Sequence, residues 1–164
     1  MAALPPYRLQ ALVEIRERKK EAAEQHLGAC TKALQAEEQK LQEMEAELQR
    51  MVQKRLEIRR EYMEKAMRGE VSAQKAIDTN VYGRRLEELE ADQKEAIAGQ
   101  QQVIEARKED VAQARQQLVA ATQELKALEK HREQWLDEIR RERARKEEEA
   151  LDELAQNIFL RGGG

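Results

Sequence analysis

Residues 97–139 read IAGQQQVIEARKEDVAQARQQLVAATQELKALEKHREQWLDEI, and the spacing of their apolar side chains decides the fold. Ile97, Ile104, Val111, Leu118, Leu125 and Ile139 stand on one seven-residue ladder, broken only by Arg132. A companion ladder, offset by three positions, carries Leu86, Ala114, Ala121, Leu128 and Trp135. The first half of the chain has a matching pair. Val13, Leu27, Leu34, Leu41, Leu48 and Tyr62 form one ladder, with Lys20 and Arg55 as exceptions, and Ala23, Cys30, Met44, Met51 and Ile58 form the other. Apolar residues at two places of a sustained seven-residue repeat give each helix a narrow stripe. Two such stripes bury one another as a left-handed coiled coil.

Composition agrees. The chain is 38% charged, 40% hydrophobic and 3% aromatic, a mixture that suits long helices and excludes a compact globule with a thick core. Its 30 basic and 33 acidic residues are interspersed, as on solvated helix faces, and leave no basic excess to make nucleic acid the main partner. The single cysteine, Cys30, falls on a seam position. It reads as a small buried hydrophobe in a reducing compartment. No run approaches the ~20 apolar residues of a membrane span. The N-terminus lacks the basic-then-apolar order of a secretion signal. A cytoplasmic protein without direct membrane insertion is expected.

Taken in order, residues 1–6 are a short leader ending in Pro5-Pro6. A proline-free helix is predicted over 7–68. Gly69 suits the left-handed position after a helix end, and Ser72 can cap the next start. A second helix is predicted over 72–159, with 160–164 disordered. So short a connection folds the helices back as an antiparallel hairpin, a single all-α coiled-coil domain over 1–164. The alternative is one continuous helix in a parallel dimer. The change of register across Gly69 favours the hairpin, and hence a monomer. Paired residues should then have numbers summing to roughly 142, which sets Tyr7 opposite Trp135 and lets the second helix overrun the first by about twenty residues. The overrun carries Arg140, Arg141, Arg143, Arg145 and Lys146, then Glu147, Glu148 and Glu149, then a separate stripe of Leu151, Leu154 and Ile158.

Catalysis is not expected. His26 and His131 lie far apart beside the seam and read as surface histidines. There is no glycine-rich phosphate loop and no Cys/His spacing for a metal, so no cofactor is expected. Two groups of residues could bind partners instead. Leu56, Met63, Tyr82 and Leu89 lie off the main seam near the hairpin tip. Either a local register shift takes Tyr82 and Leu89 into the seam beside Leu86, or the four form an exposed apolar patch. At the open end, Arg16, Arg18, Lys19 and Lys20 are expected to approach the 140–146 run. They are either ordinary solvated charge or an electropositive plug for an acidic channel, with Trp135 as seam packing or as added apolar grip.

The opening Tyr7-Arg8-Leu9-Gln10-Ala11-Leu12-Val13-Glu14-Ile15-Arg16-Glu17-Arg18-Lys19 resembles the start of the type III secretion stalk proteins, the YscO/FliJ family. His131-Arg132-Glu133-Gln134-Trp135 and Asp152-Glu153-Leu154-Ala155-Gln156 are similar to runs in the YscO-type, virulence-associated branch. The resemblance implies an antiparallel two-helix coiled coil like that of a rotary ATPase gamma subunit, not an enzyme. It implies a central stalk that links a hexameric secretion ATPase to the cytoplasmic ring of the export gate, peripheral at the inner membrane, with secretion chaperones as further partners. Carried onto this chain, Arg16, Arg18, Lys19, Arg140, Arg141 and Arg143 are expected at the ATPase, and Leu56, Met63, Tyr82 and Leu89 at the gate. The competing expectation is a coiled-coil chaperone, adaptor or scaffold that holds clients through apolar ends.

Overall fold

A computed structural model describes residues 3–162 and contains two helices, α1 over Gln10–Met67 and α2 over Ala73–Gly162, with no strand among the described residues. The two helices pack along a shared seam as an antiparallel hairpin coiled coil. The residues gather into two compact units. The terminal unit holds the chain up to Glu24 together with the part from Gln116 onward, and the turn unit is Gln25–Arg115.

The turn is built from two helix ends. Gly69 has φ +73°, in the left-handed region that only glycine enters without steric cost. Its amide donates to the Ala66 carbonyl at 3.1 Å, and the Glu70 amide donates to the Lys65 carbonyl at 3.1 Å. This crossed pair is the Schellman arrangement, which satisfies carbonyls that the ending helix would otherwise orphan. On the other side, Ser72 Oγ accepts from the Lys75 amide at 3.2 Å, the N-cap bond for α2. Gly69→Ala should cost about 1 kcal/mol and Ser72→Ala about the same. Urea unfolding followed by circular dichroism reads both, and an unchanged midpoint for Gly69→Ala would mean that the turn relaxes freely.

The helices differ from the sequence expectation at their outer ends. α1 begins at Gln10, not Tyr7, because residues 7–9 close a turn in which the Gln10 amide donates to the Tyr7 carbonyl at 3.0 Å. That turn swings the Tyr7 ring onto α2, where it is buried. α2 continues through Leu160 and Arg161 to Gly162, beyond the expected stop at Phe159. Of the stretch expected to be disordered, 160–162 is thus helical, and 163–164 lie outside the described residues.

The core is one side chain deep. In the terminal unit Tyr7, Val13 and Leu125 pack together with Leu9, Leu128 and Trp135 around them. In the turn unit Ile104, Val111 and Ala114 are buried, with half-buried Leu27, Leu34, Leu41, Leu48 and Ile97 continuing the stripe. Apart from Tyr7 and Leu9, which precede the first ladder residue, each of these stands on a ladder read from the sequence.

The seam also has polar steps. In the turn unit Arg55 Nε donates to Glu90 Oε1 at 2.7 Å. Gln93 Nε2 donates to the Met44 carbonyl at 2.9 Å, and Gln100 Nε2 to the Glu37 carbonyl at 3.0 Å. The two glutamines lie one heptad apart and reach carbonyls one heptad apart on α1. A buried amide at a seam position is costly unless its partner stands at the right height, so each favours one register.

Candidate functional site

In the terminal unit the predicted basic residues divide by role. Arg16 is half-buried, and its Nη1 donates to Glu124 Oε2 at 2.6 Å. Lys19 Nζ donates to the same oxygen at 3.2 Å. These two cations are spent inside the molecule, clamping α1 to α2. The bonded Lys19 ammonium, with the Arg16 charge beside it, holds the Glu124 carboxyl below its ordinary value of 4.5, while partial desolvation pushes the other way. Arg18 is exposed. Arg16 and Lys19 are not brought to the 140–146 run. Their anchor, Glu124, sits roughly 24 Å before Arg140 at about 1.5 Å per residue.

A carboxylate with a depressed folded-state pKa contributes stability above its unfolded value and loses it as the pH falls through the lower folded-state value. Acidification downward from 4.5 should therefore erode the stability of the native chain more steeply than that of Glu124→Gln. Urea midpoints across that window check this, and parallel curves would remove the clamp from the account.

Beyond Ile139, α2 has no helix beside it, and residues 140–162 are exposed throughout. Arg140 stands 3.7 Å from Asp137, Arg145 pairs with Glu149, and Lys146 pairs with Glu142. Such exposed pairs one turn apart support a lone helix. Arg143 Nη2 donates to the Ala3 carbonyl at 3.1 Å, fastening the leader to the start of the overrun. The apolar stripe of Leu151, Leu154 and Ile158 lies open to solvent, and Phe159 and Leu160 extend it at 79% and 73% exposure. The sequence reading ended the helix at Phe159, which left Leu160 outside it, and did not count Phe159 in the stripe.

In the turn unit Leu56, Met63 and Tyr82 are exposed, as an apolar patch requires, and Ile77 and Val81 add to the open apolar surface. Leu89 differs. It is half-buried and lines a seam hollow with Met51 and Leu86, so it belongs to the packing.

His131 is not an isolated surface residue. Its Nδ1 is hydrogen-bonded to the Tyr7 hydroxyl at 2.6 Å, and the Tyr7 ring lies 5.0 Å from Trp135. His26 lies 3.7 Å from Cys30 Sγ one turn on. Among the described residues no group of three or more His, Cys, Asp or Glu could hold a metal ion, and no helix is long and apolar enough to cross a membrane.

The solved structure of a YscO homolog, CT670 from Chlamydia trachomatis, superposes with a TM-score of 0.81 over 96% of each chain at 22% identity, and so shares the fold. No protein with a curated description matches the sequence. The model of the family described as YscO-like protein matches residues 4–162, which takes in both helices and the turn between them. On that extent of agreement the chain belongs to the YscO-like protein family.

Proposed function

We propose that the chain is the central stalk of a type III secretion apparatus, which links the hexameric secretion ATPase to the export gate and couples ATP hydrolysis to protein export on the cytoplasmic side of the inner membrane. The observation that carries this reading is the unpaired overrun of α2. Within a YscO-like chain, a helix that leaves its partner and continues with basic residues and then an open apolar stripe is built to be covered by another protein. Arg140 and Arg141, with Arg18 on α1, are the cations available for an ATPase, and Leu151, Leu154, Ile158 and Phe159 supply the apolar grip. Arg16, Lys19 and Arg143 act indirectly, by holding the terminal unit together. Leu56, Met63 and Tyr82 are the gate-facing residues of this reading.

The test uses the purified full chain and its secretion ATPase. Co-purification and a raised hydrolysis rate are expected. Arg140→Glu/Arg141→Glu should weaken the complex about tenfold, because charge reversal puts like charges at the contact. No binding and no stimulation at modest salt would refute the stalk reading. Light scattering should give a mass near 19.0 kDa, that of one chain.

A further inference from the structure

The turn unit carries a cleft of about 510 Å³ between the two helices. The heptad ladder explains why it exists. Counting back from Ile97 and Glu90, Gly83 occupies a seam position, where a side chain would ordinarily fill the space between the helices. A Cβ built on Gly83 meets nothing within 4 Å, so the space is open. Its apolar lining is Ile58, Tyr62, Met63 and Leu86, with Thr79 and Asn80 beside them.

The rim is basic. Arg59 on α1 and Arg84 on α2 line the cleft from opposite helices, both are exposed, and neither has a carboxylate partner among the described residues. Arg55 also lines it, but its charge is met by Glu90 at 2.7 Å. Glu87 is the one carboxylate in the lining. The volume lies within the range of pockets that hold a ligand or a few side chains. Two guanidinium groups contributed by opposite helices beside apolar lining suit carboxylates that flank an apolar side chain. No helix N-terminus or glycine-rich loop lines the cleft to hold a phosphate.

We propose that this cleft is a docking site for an acidic segment of a partner protein, which inserts an apolar side chain into the gap left by Gly83 while its carboxylates bind Arg59 and Arg84. The site shares Met63 with the proposed gate-facing residues, but it is defined by Gly83, Arg59 and Arg84 and stands whether or not the stalk reading holds.

Isothermal titration of the full chain with synthetic peptides tests it. The peptides carry a Glu-Leu-Leu-Glu core, a Lys-Leu-Leu-Lys core or a Glu-Ser-Ser-Glu core, and inorganic phosphate is titrated separately. The Glu-Leu-Leu-Glu peptide alone should bind, more weakly as salt is raised toward about 150 mM. Gly83→Leu fills the gap and raises helix propensity, so it should preserve the circular dichroism melt yet weaken this peptide about tenfold. Arg59→Glu/Arg84→Glu should do the same. Equal binding of the basic peptide, unchanged affinity in Gly83→Leu, or phosphate displacing the peptide would overturn the proposal. So would the absence of binding by any peptide.

Discussion

Arg55→Ala should lower the stability of the chain by about 3 kcal/mol, although Arg55 is a charged residue on a wet coiled coil. Its partner Glu90 is only 6% exposed, and no other cation approaches it among the described residues. Removing the guanidinium strands a carboxylate in the seam, and the loss is chiefly the cost of that unpaired charge. The double replacement Arg55→Leu/Glu90→Leu should therefore restore stability to the native level or above, since an apolar pair fills the seam without desolvating ions. For a chain of this length, about 3 kcal/mol corresponds to a fall of roughly 6 to 12 °C in Tm. A thermal melt of Arg55→Leu, Glu90→Leu and the double variant closes the cycle, with Arg55→Ala read beside it. A drop of under about 1 kcal/mol for Arg55→Ala would mean that water reaches Glu90 and that the pair contributes little.

The second large effect is expected at the other unit. Trp135→Ala should cost about 3 kcal/mol, the low end for a core tryptophan, because the ring is half-buried. The indole packs against Tyr7 at 5.0 Å with the ring planes inclined by 49°, a favourable aromatic geometry. It also supports the Val13 and Leu125 core. Tyr7→Phe keeps the ring and removes only the bond to His131, so its cost should be about 1 kcal/mol. The damage in Trp135→Ala should be local. Amide exchange should accelerate around Val13 and Leu125 and stay unchanged around Ile104 and Val111. Uniform acceleration along both helices would contradict that.

Much of this was legible in the sequence. A heptad ladder is a geometric statement about which side chains share a helix face, and it named the apolar seam from Val13 to Leu125, while the short connection gave the antiparallel fold and the facing of Tyr7 and Trp135. Gly69 and Ser72 marked the turn because only certain residues suit a left-handed backbone and an N-cap. The polar steps were passed over for a plain reason. Glu90, Gln93 and Gln100 sit on ladder positions, but a reading that looks for apolar repeats treats them as gaps, although the same register predicts that they face α1. Leu89 is ambiguous in the sequence because two overlapping registers share Leu86, and its half-burial in a hollow also lined by Met51 and Leu86 decides between them. The basic clusters were expected to meet because both lie toward the open end. Pairing across the two helices instead gives Arg16 a local carboxylate, Glu124, that neutralises it first. The cleft at Gly83 was not legible in the sequence, since an absent side chain becomes a cavity only when the opposite helix declines to fill it.

The stacking of Tyr7 on Trp135 has an optical consequence. The chain has a single tryptophan, so its near-ultraviolet emission comes from one known place, where the start of the chain meets α2. Light absorbed by Tyr7 passes to an indole 5.0 Å away, and separation of the two rings would dim that transfer and shift the emission to the red. Any protein that closes around the terminal unit, or prises it open, can thus be followed in solution without a dye.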